Sequence, residues 1–324
     1  MNVLSLFDGC SCARVALDRL GISCTYYASE IDKYAIKISK KNYPDIIHLG
    51  DVTEITREGL PSIDLLIGGS PCQDLSIAGK QKGLNGKRSG LFYEYLRLLE
   101  ETTPEYFVLE NVASMKKEWR DIISRELGVE PVLIDSALVS AQSRKRLYWT
   151  NFPVEQPGDK GILLKDILES GVVDREKSLC IDANYFKGTT PLHYANRHVR
   201  QVVFKNGEVL GEFFRVVKSS KRSGAKRVGY IGRNSLGYRV YSIEAKSPTI
   251  TSNVAGGNRP TYVMFNDEEI RKLSPIECER LQTLPDNYTE GVSNTQRYKM
   301  LGNAFTVDVV VHILSFMYPL SFSC

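Results

Sequence analysis

The run Ile67-Gly68-Gly69-Ser70-Pro71-Cys72-Gln73-Asp74-Leu75-Ser76 places a thiol where it can act. Ile63-Asp64-Leu65-Leu66-Ile67 has the length and composition of a buried strand, and two glycines and a proline follow it. The expected strand therefore delivers Cys72 to a loop at its carboxyl end, the edge at which open α/β sheets bind ligands. There Gly68-Gly69 lets a substrate approach the backbone, and Pro71 stiffens the residue before the thiol. A cysteine displayed in this way is a candidate nucleophile. A lone loop cysteine is more often inert, so the case rests on the company Cys72 keeps.

That company is acidic and basic in an ordered way. Tyr106-Phe107-Val108-Leu109 reads as another buried strand, and Glu110 follows it directly, a carboxylate on the same edge as the thiol. In Gln142-Ser143-Arg144-Lys145-Arg146 the two arginines alternate and are expected to share one face of an extended segment. At the amino end, Val3 to Phe7 reads as a strand, Asp8-Gly9-Cys10 as a turn, and Ser11 or Cys12 as the start of a helix whose free amides face a ligand. Glu30 stands some twenty residues on, after Thr25-Tyr26-Tyr27-Ala28-Ser29, where a carboxylate accepts from both hydroxyls of a ribose. Asp51 ends a third strand, Ile46 to Leu49, and could accept from an adenine amino group. Together the two acids point to an adenosine-containing cofactor.

Strands alternate with helices to about residue 150, which predicts an α/β fold with a doubly wound, mostly parallel sheet. The pattern then breaks into short basic and aromatic pieces. Between Arg175 and Pro260 there are sixteen Lys and Arg against five Asp and Glu, net +11, whereas the rest of the chain is net −7. Such regional asymmetry favours a polyanion-binding module on an acidic body, and Gly79 to Arg88 adds a glycine- and lysine-rich loop after the thiol. Helical pattern returns with Ser274-Pro275-Ile276-Glu277, a capping box, and Gly302-Asn303-Ala304 is expected to open the last helix. The division expected is 1–174 catalytic and cofactor-binding, 175–260 target-recognition, and 261–324 a return to the catalytic unit.

Length and composition add bounds. The 324 residues suffice for a large and a small domain, and no run of eighteen apolar residues is present. The amino terminus enters a strand without a basic leader, so a cytoplasmic protein is expected, without membrane partners. Seven scattered cysteines (10, 12, 24, 72, 180, 278 and 324) suit reduced thiols, and Cys10-x-Cys12 lacks a second ligand pair, so no metal is expected.

In order along nearly the whole chain, these pieces resemble the cytosine-C5 DNA methyltransferase family, with phage and bacterial members and animal de novo enzymes most similar around Ser70-Pro71-Cys72-x-Asp74-Leu75-Ser76. The resemblance implies a Rossmann-like fold that uses S-adenosyl-L-methionine, leaves S-adenosyl-L-homocysteine, and acts on a cytosine flipped out of double-stranded DNA. It implies catalytic roles for four residues. Cys72 would add to carbon 6, Glu110 would hold N3 and the exocyclic amine, Arg144 would hold the carbonyl oxygen, and Arg146 would support it or contact phosphate. The cofactor would be held by Phe7, Asp8, Gly9, Ser11, Cys12, Glu30, Ile31, Asp51, Val52, Ser70, Pro71, Asn303 and Ala304. DNA contacts would come from Gln73, Ser76, Lys82, Lys87, Arg88, Arg233, Arg239 and Thr249, and Arg271 to Gln282, with Glu277 and Arg280, would support the recognition region. The chain departs from the glycine-rich pattern at Cys10-Ser11-Cys12-Ala13, which bears on how the methionine part of the cofactor is held. One recognition region and one catalytic constellation suit a monomer, with a cognate restriction endonuclease as a partner the sequence neither shows nor excludes. The competing readings are an RNA cytosine methyltransferase of the same family and a DNA-binding regulator that keeps the fold without turnover. Retention of Cys72, Glu110 and both arginines argues against the second.

Overall fold

The computed structural model describes residues 1–71, 90–189, 200–205 and 271–317, together with the backbone alone of short strands between 214 and 270. Cys72, Gln73, Ser76, Lys82, Lys87, Arg88, Arg233 and Thr249 lie outside the described residues, and Arg239 is described in backbone only.

Seven strands form the main sheet: β1 (Asn2–Leu6), β2 (Thr25–Ser29), β3 (Ile47–Gly50), β4 (Leu65–Gly69), β5 (Tyr106–Val112), β6 (Val132–Asp135) and β7 (Lys145–Thr150). Their order is β3-β2-β1-β4-β5-β7-β6. The first five run parallel, and β7 is antiparallel to both β5 and β6. Alternation along each strand explains why helices cover both faces. Val3, Leu65, Ile67 and Val108 join one apolar cluster, which also takes in helices α1 (Cys12–Arg19), α6 (Asn294–Asn303) and α7 (Val307–Leu314). Leu4, Leu6, Leu66, Phe107 and Leu109 point the other way, onto α3 (Leu91–Thr102) and α4 (Lys117–Leu127). Burying both faces of a sheet this size removes several large side chains from water at roughly 1.5–3 kcal/mol each.

The remaining helices are α2 (Lys33–Asn42), capped by Asp32, which accepts from the amides of Tyr34 and Ala35, and α5 (Pro275–Leu281). Ser274 and Glu277 close the predicted capping box on α5, with Pro275 at its first turn. The basic segment supplies β8 (Val202–Phe204), β9 (Phe214–Val216), β10 (Lys221–Arg222), β11 (Ala225–Ile231), β12 (Arg239–Tyr241) and β13 (Thr261–Tyr262). Strands β9 to β13 make a separate five-stranded sheet, whereas β8 pairs with β14 (Ile270–Lys272). Among the described residues no helix is long and apolar enough to cross a membrane.

Three expectations need correction. Gly68 and Gly69 do not follow the strand; they are the last residues of β4, Gly68 paired with β1 and both with β5. A Cβ on Gly68 would lie 2.8 Å from the Leu6 carbonyl oxygen, so close strand packing is what demands glycine there. Glu110 does not follow β5 but lies within it, opposite Tyr148. Gly302 and Asn303 end α6 instead of opening the last helix, which begins at Val307 after Thr306. Helices α4 and α6 were not anticipated. Charged residues on every turn of α4 mask the apolar stripe that packs it, and α6 has few apolar residues, Tyr298, Met300 and Leu301, in the middle of a polar run.

Candidate active site

The carboxyl ends of β1, β2, β3 and β4 meet at one edge, so four consecutive turns converge. After β1 the backbone passes through left-handed conformations at Phe7 (φ 57), Gly9 (φ 61) and Ser11 (φ 64). Such conformations cost a non-glycine residue about 1 kcal/mol or more, and neighbouring contacts must hold them. Those contacts are present. The Asp8 amide donates to the Ser29 carbonyl at 3.0 Å. The Gly9 amide donates to Glu30 Oε2 at 2.8 Å. Glu30 Oε1 accepts from the amides of Ile31 and Asp32, each at 2.8 Å. Glu30 thus bridges the first two turns, and beside it Ile31 is 72% exposed. An apolar side chain left open next to such a carboxylate fits a flat, partly apolar nucleoside. Asp51 caps the turn after β3 through Thr53, whose amide and hydroxyl donate to Oδ1 at 3.0 and 2.9 Å; Val52 is buried beneath it.

Asp8, Ser11 and Cys12 stand differently from what their place in the loop suggested. All three side chains are buried. The Asp8 carboxylate accepts from Ser5, Ser11 and Tyr26 at 2.7, 2.6 and 2.7 Å. Ser11 continues the chain to Ser39 at 2.6 Å. Burial outweighs these hydrogen bonds and pushes the Asp8 carboxyl up to about 6. Cys10 and Cys12 also turn inward, their sulfurs 3.8 Å apart, and burial together with the neighbouring thiol pushes Cys10 well up. The Cys10-Ser11-Cys12 departure therefore fills the space beneath the loop, and any contact these side chains make with a cofactor passes through the backbone.

The other half of the site lies one strand over. Glu110 on β5 stands beside Gly69 on β4, in register. Arg146 on β7 reaches across with Nε 2.8 Å from Glu110 Oε1, and both side chains keep 14% exposure. This pair is screened from water yet open on one side. Asn111 faces the opposite way from Glu110 and donates to Ser70 twice, to the carbonyl at 3.3 Å and the hydroxyl at 3.0 Å. It thereby fixes the backbone that leads through Pro71 to Cys72. Burial and the neighbouring Glu110 charge push the Tyr148 hydroxyl up, so Tyr148 stays neutral.

Arg144 does not share a face with Arg146. It precedes β7 and is buried, with Nη1 donating to the Ile181 carbonyl at 3.0 Å and Nη2 to the carbonyls of Gly302 and Ala304 at 3.2 and 3.0 Å. The planar fork satisfies the end of α6 and pins residue 181 to it. The arginine brought to Glu110 is Arg146. Asn303 is exposed at the end of α6, and Ala304 is buried. Gln282 ties this corner together, donating to Leu301 and accepting from Thr306 at 2.7 and 2.9 Å. Glu277 accepts both Arg271 terminal nitrogens at 2.7 Å, and Arg280 pairs with Asp286 at 2.6 Å, so these residues hold α5 in place.

One residue of the site escaped the sequence reading. A Cβ at Gly69 would fall 2.9 Å from both Glu110 Oε2 and Phe305 Cε1, so the carboxylate and an aromatic ring border the same space over Gly69. Its only sequence signal was adjacency to Gly302-Asn303-Ala304.

A mostly parallel seven-stranded sheet with helices on both faces matches the S-adenosylmethionine-dependent methyltransferase fold. The fold resembles an Entamoeba histolytica methyltransferase, EhMeth (TM-score 0.65, 15% identity, 98% of each chain), and Spodoptera frugiperda DNMT2 (TM-score 0.64, 18% identity, 98% of this chain and 99% of that one). The family model for C-5 cytosine-specific DNA methylases matches residues 1–318, and the chain belongs to that family. It is similar to the type II methyltransferase M.HhaI of Haemophilus parahaemolyticus, 26% identical over 97% of this chain and 93% of that protein. M.HpaII of Haemophilus parainfluenzae is 29% identical over 95% and 86%, and the orphan methyltransferase M.SPRI of Bacillus phage SPR is 26% identical over 97% and 96%.

Proposed function

We propose that this chain transfers a methyl group to carbon 5 of a cytosine flipped out of double-stranded DNA, through a covalent bond between Cys72 and carbon 6. The observation that carries the reading is the Glu110–Arg146 pair beside the end of β4, the strand that leads to Pro71-Cys72.

Carbon 5 of cytosine is a poor nucleophile. Attack of the Cys72 thiolate at carbon 6 forms the S–C6 bond and moves charge toward N3 and the carbonyl oxygen. Glu110, protonated as it engages N3, neutralises that charge, and its other oxygen accepts from the exocyclic amine. Arg146, already on Glu110 Oε1, holds the carboxyl, and its terminal nitrogens would serve the base carbonyl. The activated carbon 5 accepts the methyl, and loss of its proton expels Cys72 and restores the ring. S-adenosylmethionine supplies the methyl when bound. Glu30, beside exposed Ile31, would hold its ribose and Asp51 its adenine; the turns of Phe7 to Cys12 and Asn303 would flank the rest.

Flipping the base costs a few kcal/mol, which strand contacts must offset. The net +11 segment between 175 and 260 and the lysine-rich residues after Cys72 are the proposed source. The division into 1–174, 175–260 and 261–324 follows from the same reading.

The test is transfer of labelled methyl from S-adenosylmethionine to mixed-sequence duplex DNA, with transfer RNA and Cys72→Ala in parallel, followed by bisulfite sequencing. Label on DNA cytosines that Cys72→Ala abolishes supports the reading. Label on transfer RNA alone moves the substrate to RNA, and no label with tight DNA binding leaves a non-catalytic binder.

A further inference from the structure

Glu110 is held from two sides, and only one of them is polar. Arg146 takes Oε1 at 2.8 Å. On the other side, Oε2 and the Phe305 ring edge converge on one point above Gly69, each 2.9 Å from where a Cβ would stand, with Phe305 Cζ at 3.3 Å. Phe305 is half-buried, between Ala304 and Thr306, which are buried and hydrogen-bonded through the corner that Arg144 and Gln282 tie down. The ring therefore has a fixed base and a partly open tip over Gly69, where the carboxylate also lies. Glycine at 69 leaves the room that both groups occupy.

We propose that Phe305 is a positioning residue for the reaction, acting through Glu110. The ring turns its edge atoms to the same point over Gly69 that Oε2 borders, and an aromatic edge, which carries the positive end of the quadrupole, would tolerate a carboxylate oxygen there where a ring face would not. It closes one side of Glu110 to water and bars the carboxyl from swinging over Gly69. Oε2 then stays aimed into the site while Arg146 keeps Oε1. A hydrogen bond from Glu110 to the base is stronger in such a dry, fixed setting, because no solvent must reorganise as charge develops on the ring. Removing the ring frees Glu110 to rotate and admits water beside it, so the loss appears in the chemical step.

This proposal rests on the methyltransferase reading above, and the experiment separates the two. Single-turnover methylation of saturating duplex DNA is measured for the wild type, Phe305→Ala, Phe305→Leu, Glu110→Gln and both double variants, with cofactor affinity and thermal unfolding alongside. Expected is a fall of about 10- to 50-fold in rate for Phe305→Ala, with about half of the loss on a logarithmic scale recovered by Phe305→Leu and cofactor affinity within about threefold. In the Glu110→Gln background, loss of the ring should cost less than about twofold more, the signature of two residues acting as one unit. Should Phe305→Ala fail to fold, the Phe305→Leu cycle decides by the same non-additivity. If the wild type methylates DNA but the two losses multiply fully, Phe305 has no role through Glu110. If the wild type labels no DNA cytosine, the underlying reading falls first.

Discussion

Arg146 and Glu110 form an ion pair, Nε to Oε1 at 2.8 Å, that links the antiparallel strands β7 and β5 one strand over from the end of β4. With its partner removed, Glu110 keeps its place in β5 but loses the cation that orients it. Arg146→Ala should lower the methylation rate by about 10²-fold and shift the unfolding midpoint by no more than a few degrees. A kinetic loss smaller than threefold would show that the pair does not serve the reaction.

Arg144 should behave in the opposite way. Its guanidinium serves the carbonyls of Ile181, Gly302 and Ala304, and truncation leaves these buried acceptors without donors. Arg144→Ala is expected to cost roughly 2–4 kcal/mol of stability in denaturant unfolding. Lysine should not rescue it, because one ammonium cannot span the separated acceptors of a planar fork.

Gly302 allows no side chain. An added Cβ would lie 2.2 Å from the Asp182 carbonyl carbon and 2.3 Å from the Ala183 nitrogen, both backbone atoms that cannot swing aside. Gly302→Ala should destabilise the protein by roughly 3 kcal/mol or more. It should also weaken S-adenosylmethionine binding, read by calorimetry, since the turn at Asn303 moves with it.

Asp8 introduces a pH dependence with a definite sign. Burial raises its carboxyl from 3.8 to about 6, so between those values the folded protein holds a proton that the unfolded chain has released. Its contribution to stability is full below the unfolded value and is lost as pH rises through the folded one. The size is roughly 3 kcal/mol by linkage. Thermal unfolding of wild type and Asp8→Asn at matched pH from 4 to 7.5 isolates the effect. The wild type should lose stability relative to the variant as pH rises through this window; a relative gain would mean the carboxylate is stabilised by its three hydroxyl donors.

The basic segment between 175 and 260 should appear in salt dependence. Binding of duplex DNA should weaken with a log–log slope of roughly −4 to −8, as expected for several phosphates neutralised together. A slope near zero would remove this segment as the polyanion contact.

Much of this architecture is legible one residue at a time. A strand's apolar run, a capping box or a carboxylate twenty positions after a glycine turn depends on near neighbours, so Glu30, Asp51, the Ser274–Glu277 box and the strands around Val3 and Leu65 can be read from local chemistry. The proposals for Cys72 and the basic segment rest on the same kind of signal, because residue type and regional charge need no coordinates. Contacts between distant segments decided the rest. Alternation of Arg144 and Arg146 implied a shared face, but Arg144 precedes the strand and its guanidinium is drawn to carbonyls more than 150 residues away. Gly69 read as room for a substrate past the strand's end, whereas it is the last residue of β4 and a side chain there would meet Glu110 and a phenylalanine that the chain brings back from residue 305. Asp8 read as a ligand contact, and the hydroxyls of Ser5 and Ser11, three residues to either side, together with that of Tyr26 on the next strand hold it in the interior. Local sequence determines which groups are available and which edge of the sheet they reach, because strand and turn preferences act over a few residues. Which groups touch is set by packing between remote segments, where a single unoccupied Cβ position or a buried carbonyl selects the partner.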